Sequence, residues 1–148
     1  MAKVTIQQMQ RMKDDGEKIS MVTAYDYSQA VLVEKSGIEM VLVGDSLAMT
    51  TLGHSGTTAL TTEEMIAHIK PVVRGAPSPL IVGDLVFGSY NESLSQAIGS
   101  ANRLMKEGGC DALSGLLAIV LVVAAAALAA MAAILSLDHR SGPRMTPS

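Results

Sequence analysis

Three aspartates, Asp26, Asp45 and Asp84, are the residues of this chain best placed for chemistry, because each falls just past a short apolar run that reads as a strand. In parallel α/β proteins the loops that follow the strands all open on one side, so side chains placed there converge. Two carboxylates brought together at such an edge can hold a hard divalent cation such as magnesium. An aspartate after a strand is equally suited to forming a turn or capping a helix, and each of the three carries that second reading. The remaining reactive types are few. Cys110 is the single thiol, with Asp111 beside it and no basic neighbour in sequence, and it reads as a buried small residue rather than a nucleophile. His54 lies in a loop rich in Gly, Thr and Ser, where it reads as loop-organising, and His68 lies on a helix with no role assigned.

The elements that must position these residues alternate. Residues 5–13 read as a short helix with Ile6, Met9 and Met12 on one face, ended at Gly16. Residues 18–24 and 39–43 read as buried strands, separated by a helix over 28–35 that Ser36 and Gly37 close. A long loop is expected over 47–61. Thr61 or Thr62 then caps a helix running to about Arg74, with Glu64 placed for a capping box. A third strand over 79–83 and a helix over 93–106, closed by Gly108 and Gly109, follow. The strands are continuous apolar runs rather than alternating ones, as expected when both faces are covered, and this argues for parallel βα units. The pattern alone does not separate an open doubly wound sheet from a barrel.

The chain has 148 residues, one domain by size but short of the roughly 250 of a full eight-unit barrel. A net charge of -3 with no clustering of Lys and Arg gives no footprint for nucleic acid. One cysteine excludes an internal disulfide and fits a reducing compartment, and residues 1–13 lack the apolar run of a secretory signal. Hydrophobic residues make up 49% of the chain, unevenly placed. Residues 113–137 contain no charge and nine alanines, whereas residues 1–112 have an ordinary composition. The expected organisation is therefore an α/β portion over 1–112, an apolar helix over 113–137 and a polar tail over 138–148.

A set of separated motifs occurs in order along the first part: Thr23-Ala24-Tyr25-Asp26-Tyr27-Ser28, Leu42-Val43-Gly44-Asp45-Ser46-Leu47 with Met49, Gly53-His54, Arg74-Gly75-Ala76-Pro77, and Asp84-Leu85 with Phe87 and Tyr90. Over about residues 3–112 the chain resembles the ketopantoate (3-methyl-2-oxobutanoate) hydroxymethyltransferases. The resemblance implies part of a (β/α)₈ TIM barrel of the phosphoenolpyruvate/pyruvate kind, in a cytoplasmic homo-oligomer. It implies transfer of a one-carbon unit from 5,10-methylenetetrahydrofolate to 3-methyl-2-oxobutanoate, giving ketopantoate on the route to pantothenate and coenzyme A. Mg2+ would bind the keto acid and act as a Lewis acid on the enolate formed when the carbon beside the ketone loses its proton. Residue by residue, Asp45 and Asp84 match the metal-binding aspartates and contact substrate, and Ser46, with the Asp45 backbone, matches the position that holds the substrate carboxylate. Asp26 inherits no catalytic role, so its structural reading is preferred.

The resemblance then departs. Beyond Gly108-Gly109-Cys110-Asp111-Ala112 the family carries a strand with a lysine for the substrate and, two residues on, a glutamate for the metal. Ser114 and Leu116 stand near those positions, and no glutamate follows Glu107 to serve as the general base, so no catalytic base is assigned. His139 is faintly placed like a substrate histidine, but its flanks do not match. The loss of a base alone is worth roughly 10²- to 10⁴-fold in rate, so a truncated, impaired transferase is the expectation. Three readings of 113–137 are open. A reading-frame change or truncation, which in GC-rich DNA yields Ala/Val/Leu runs, is favoured. A membrane helix, of the about 20 apolar residues that span a bilayer, would make the chain an inactive half-barrel on an anchor. A soluble helix comes last.

Overall fold

The computed structural model describes residues 2–115. They fold as a parallel α/β unit in which helices alternate with the strands of one sheet. In chain order these are α1 (Ile6–Asp14), β1 (Met21–Thr23), α2 (Tyr27–Ser36), β2 (Met40–Val43), α3 (Leu47–Thr50), a 3₁₀ turn at Thr57–Ala59, α4 (Thr62–Gly75), β3 (Leu80–Asp84), α5 (Leu94–Arg103), a π-helical turn at Leu104–Gly108 and β4 (Ala112–Ser114). The sheet order is β1-β2-β3-β4, parallel throughout, with Met21 opposite Met40, Met40 opposite Leu80 and Val82 opposite Ala112. A doubly wound sheet reverses its strand order at a switch point. Here each strand lies beside its sequence neighbour, and this is the order in which a (β/α) barrel begins. Among the described residues the sheet does not close on itself.

The helix starts follow from local chemistry. Thr5 Oγ1 accepts the Gln8 N–H at 3.2 Å, Asp26 Oδ1 accepts the Gln29 N–H at 2.8 Å and Ser93 Oγ accepts the Gln96 N–H at 3.1 Å, each satisfying an orphan donor of the first turn. Thr61 and Glu64 form the expected capping box: the Thr61 N–H donates to Glu64 Oε2 at 2.9 Å and the Glu64 N–H returns to Thr61 Oγ1 at 3.2 Å. These bonds hold the Glu64 carboxyl below its ordinary range, the backbone N–H of Thr61 first and its hydroxyl second. Asp26 is therefore a helix cap, in line with its structural reading.

Two layers of core flank the sheet. On one face Val41, Val43 and Ile81 pack with Ala30 of α2, Met65, Ile66, Ile69 and Val72 of α4, and Leu104. Met65, Ile69 and Val72 are wholly buried, each stabilising the fold by about 1.5–3 kcal/mol. On the other face Met40, Leu42, Leu80, Val82 and Ala112 meet Met9 and Met12 of α1. The segment before α1 is pinned to the amino edge of the sheet: the Val4 N–H donates to the Ser78 carbonyl at 2.7 Å, and Lys3 Nζ reaches the Pro79 carbonyl at 2.8 Å and Asp111 at 2.7 Å. α2 and α4 cross very closely at Gly75, where a Cβ would stand 2.7 Å from Ala30 Cβ and 2.8 Å from the Tyr27 carbonyl oxygen.

Part of the expected loop over 47–61 is helical, since α3 and the 3₁₀ turn occupy it. The last predicted helix ends its α-helical course at Arg103 and finishes as the π turn. β4 crosses the composition boundary at residue 113 and continues to Ser114. Gly115 then takes a φ of 91°, the left-handed region in which the extended run stops. The rest of the apolar stretch, the tail over 138–148, Leu116 and His139 lie outside the described residues. Among the described residues no helix is long and apolar enough to cross a membrane.

Candidate active site

The carboxyl ends of β2 and β3 carry Asp45, Ser46 and Asp84, the residues matched to the metal and substrate positions by resemblance. Gly44, Asp45 and Ser46 follow β2 directly, and Asp84 is the last residue of β3. Parallel pairing places the two strand ends side by side, with Val43 opposite Gly83. The Asp45 backbone N–H donates to Asp84 Oδ2 at 3.0 Å. The approach is close because the residue before Asp45 is glycine: a Cβ on Gly44 would lie 3.3 Å from Asp84 Oδ2 and 3.3 Å from Ser46 Oγ. Both oxygens thus flank one point at the edge of the sheet. Asp45, Ser46 and Asp84 are each half-buried there.

Ser46 is held by more than its place in the chain. Its carbonyl accepts the N–H groups of Met49 and Thr50, both at 3.0 Å, and the Thr50 hydroxyl at 3.0 Å, so α3 fixes its backbone. Its hydroxyl is 2.8 Å from the Tyr25 hydroxyl. The Tyr25 N–H in turn donates to Gln29 Oε1 at 2.8 Å, and the Tyr25 carbonyl lies 2.7 Å from His68 Nδ1 on α4. A carbonyl can only accept, so His68 carries its proton on Nδ1. Tyr25 and His68 therefore belong to this edge, although neither was given a role from the sequence. Tyr25 was visible in the sequence only as part of a motif, and nothing in sequence linked His68 to a residue 43 positions away.

Asp26, the third of the edge aspartates, is turned to its cap and takes no part in this cluster. His54 sits in the loop after α3 with its N–H donating to the Ala48 carbonyl at 2.8 Å, which closes that loop. Cys110 is buried against Gly83, where a Cβ would come within 3.3 Å of its Sγ, and burial pushes the thiol up to about 11. Ser114 lies opposite Asp84 in the β3–β4 register, and its carbonyl accepts the Leu85 N–H at 3.2 Å. At the place where the resemblance implies a lysine, a short uncharged hydroxyl side chain follows the sheet.

The donor set at this edge is all oxygen, with two carboxylates and one hydroxyl, and that suits a hard divalent cation in kind. Asp45, Asp84 and Ser46 are of the oxygen type such a cation takes, and no group of three or more acidic, His or Cys ligands forms there among the described residues. A cavity of about 300 Å³ bounded by Val4, Glu34, Glu39 and Ser78 lies at the amino ends of the strands, away from this edge.

The family model described as ketopantoate hydroxymethyltransferase matches residues 3–134. Three proteins named 3-methyl-2-oxobutanoate hydroxymethyltransferase are similar to the chain. That of Heliobacterium modesticaldum is 53% identical over 111 residues, covering 75% of this chain and 40% of the relative. That of Moorella thermoacetica is 51% identical over 124 residues, covering 82% and 46%. That of a Clostridium botulinum strain is 50% identical over 109 residues, covering 74% and 40%. The chain thus spans less than half the length of the curated relatives it matches. With the match running from the first helix through the aspartate edge and past β4, the chain belongs to the ketopantoate hydroxymethyltransferase family.

Proposed function

We propose that this chain carries the metal- and keto-acid-binding edge of a 3-methyl-2-oxobutanoate hydroxymethyltransferase, which moves a one-carbon unit from 5,10-methylenetetrahydrofolate to 3-methyl-2-oxobutanoate. In this reading it works in the cytoplasm as a homo-oligomer. The observation that carries the proposal is the meeting of Asp45 and Asp84 across the β2–β3 edge, with the Asp45 N–H on Asp84 Oδ2 and Ser46 Oγ beside them. Asp45 and Asp84 would hold Mg2+, which when bound supplies Lewis-acid polarisation of a keto oxygen. Ser46 would donate its hydroxyl to the keto-acid carboxylate. The Asp45 N–H is already given to Asp84 at 3.0 Å, which in this reading leaves the Ser46 hydroxyl as the donor for the carboxylate. In this reading the described residues supply substrate and metal binding at the edge.

The test is calorimetric titration of the full 148-residue chain with MgCl₂ and 3-methyl-2-oxobutanoate, together with NMR of the C3 proton in heavy water. Magnesium-dependent binding of the keto acid is expected, lost in Asp84→Asn and Asp45→Asn, with exchange of the C3 proton that is slow but above the buffer rate. A chain that binds no keto acid at millimolar magnesium refutes the binding claim. Binding without any exchange refutes the catalytic one.

A further inference from the structure

We propose that Tyr25 and His68 are positioning residues that aim the Ser46 hydroxyl, an inference that rests on the reading of Ser46 as the carboxylate contact. A serine hydroxyl has one hydrogen to give and two lone pairs. To serve an anionic carboxylate, which only accepts, Ser46 must spend its hydrogen on the ligand. Its 2.8 Å partner must then be the donor, so the Tyr25 O–H gives to Ser46 Oγ and the Ser46 O–H gives outward. Donation into an oxygen strengthens the bond that the same hydroxyl then donates, because hydrogen bonds in a chain polarise one another. Tyr25 thus does two things at Ser46: it fixes the rotor and makes the hydroxyl a better donor.

Tyr25 can do this only if its own backbone is fixed, since it sits in the short link between β1 and α2. Two bonds hold it. Its N–H goes to Gln29 within the first turns of α2, and its carbonyl receives the proton of His68 Nδ1 from α4, a separate element. The ring is half-buried and packs against the core made by α2, α4 and the sheet. The line of contacts His68 Nδ1, Tyr25 carbonyl, Tyr25 hydroxyl, Ser46 Oγ therefore ties α4 to the hydroxyl at the end of β2. His68 acts through the Tyr25 backbone and Tyr25 acts through Ser46, so neither touches substrate.

The test is a double-mutant cycle on keto-acid binding by the full chain at saturating MgCl₂, with Mg2+ affinity and urea stability measured alongside. One neutral hydrogen bond is worth about 0.5–1.5 kcal/mol, a factor of about 2 to 10, so Tyr25→Phe is expected to weaken 3-methyl-2-oxobutanoate binding by that factor and leave Mg2+ binding unchanged. In a Ser46→Ala background the same change is expected to have no effect. His68→Leu is expected to weaken binding in the same direction. His68→Asn, whose amide N–H can reach the same carbonyl, is expected to restore it, and this separates aiming from a general packing role. Equal losses from Tyr25→Phe with and without Ser46, or no loss from Tyr25→Phe where Ser46→Ala weakens binding, would overturn the inference while leaving the binding reading intact. A wild-type chain that binds no keto acid overturns both.

Discussion

The contact at Gly75 gives the sharpest quantitative expectation, because two effects of opposite sign meet there. Gly75 is the last residue of α4 and its φ is not in the left-handed region, so alanine can adopt its backbone without strain. On propensity and unfolded-state entropy alone, Gly75→Ala would stabilise by about 0.4–1 kcal/mol. The added Cβ, however, would stand 2.7 Å from Ala30 Cβ and 2.8 Å from the Tyr27 carbonyl oxygen, both well inside ordinary van der Waals contact. Neither neighbour is a flexible side-chain end, so α2 and α4 must move apart by several tenths of an ångström. Overpacking of this kind costs about 1–3 kcal/mol, and set against the gain of about 0.4–1 kcal/mol the clash wins on average, by about 1 kcal/mol and at most about 2.5. With a urea m-value of about 1–1.5 kcal/mol/M, the unfolding midpoint of the full chain should fall by about 1 M. Ala30→Gly removes the first contact and leaves the carbonyl, so the double variant should recover part of the loss and the two changes should be non-additive. α2 begins two residues after Tyr25 and α4 carries His68, so keto-acid binding should weaken along with stability. A Gly75→Ala chain with an unchanged or higher urea midpoint would refute the reasoning, since propensity would then outweigh contact.

Cys110 is buried with its thiol pushed up to about 11 by that burial. A disulfide reagent at pH 8 should therefore label the folded chain slowly and the urea-unfolded chain at once with one equivalent; rapid native labelling would contradict the assignment. Glu39 lies below its ordinary value of 4.5 because the Ser20 hydroxyl and backbone N–H donate to its carboxylate. A depressed folded value means the contribution is present above about pH 4.5 and is lost as the pH falls through the folded value. Glu39→Gln should accordingly be less stable than wild type at pH 7, with the gap closing below pH 4; a constant gap over that range would refute the link. Thr61→Ala removes the Oγ1 that accepts the Glu64 N–H and keeps the backbone N–H that donates to Glu64, and thermal or urea unfolding should report a loss of about 1 kcal/mol.

What was legible in the sequence is local. Asp26 and Thr61 with Glu64 announce helix starts because a cap needs only residues three positions apart, and each forms the bond its spacing implies. The apolar runs marked β2 and β3 to within a residue, and the aspartates that follow them fall at the shared edge because parallel pairing leaves no other place for them. α3 and the 3₁₀ turn were read as loop because a single turn carries no periodicity, and Ser46 makes no side-chain cap bond to announce α3. The roles of Tyr25 and His68 were hidden for a different reason. Their bond spans 43 residues and exists only because α4 packs beside α2 at the spacing Gly75 permits, a tertiary fact without any local signature.

The strand at the composition change shows how fold and chemistry separate in this chain. Ala112, Leu113 and Ser114 pair with Val82, Gly83 and Asp84 through backbone groups, which every one of these residues offers whatever its side chain. Leu113 packs against the same core as Val41 and Ile81, so an apolar residue satisfies the buried position. Ser114, one residue on, continues the strand beside Asp84 without difficulty. The sheet therefore accepts this sequence up to Gly115, where a φ of 91° ends the extended run. A lysine next to Asp84 would add a positive charge and a long donor; a serine adds neither. The fold tolerates the change because pairing reads the backbone and not the side chain. The edge in the described residues thus gathers Asp45 and Ser46 after β2, Asp84 at the end of β3, Tyr25 from the link between β1 and α2, and His68 from α4.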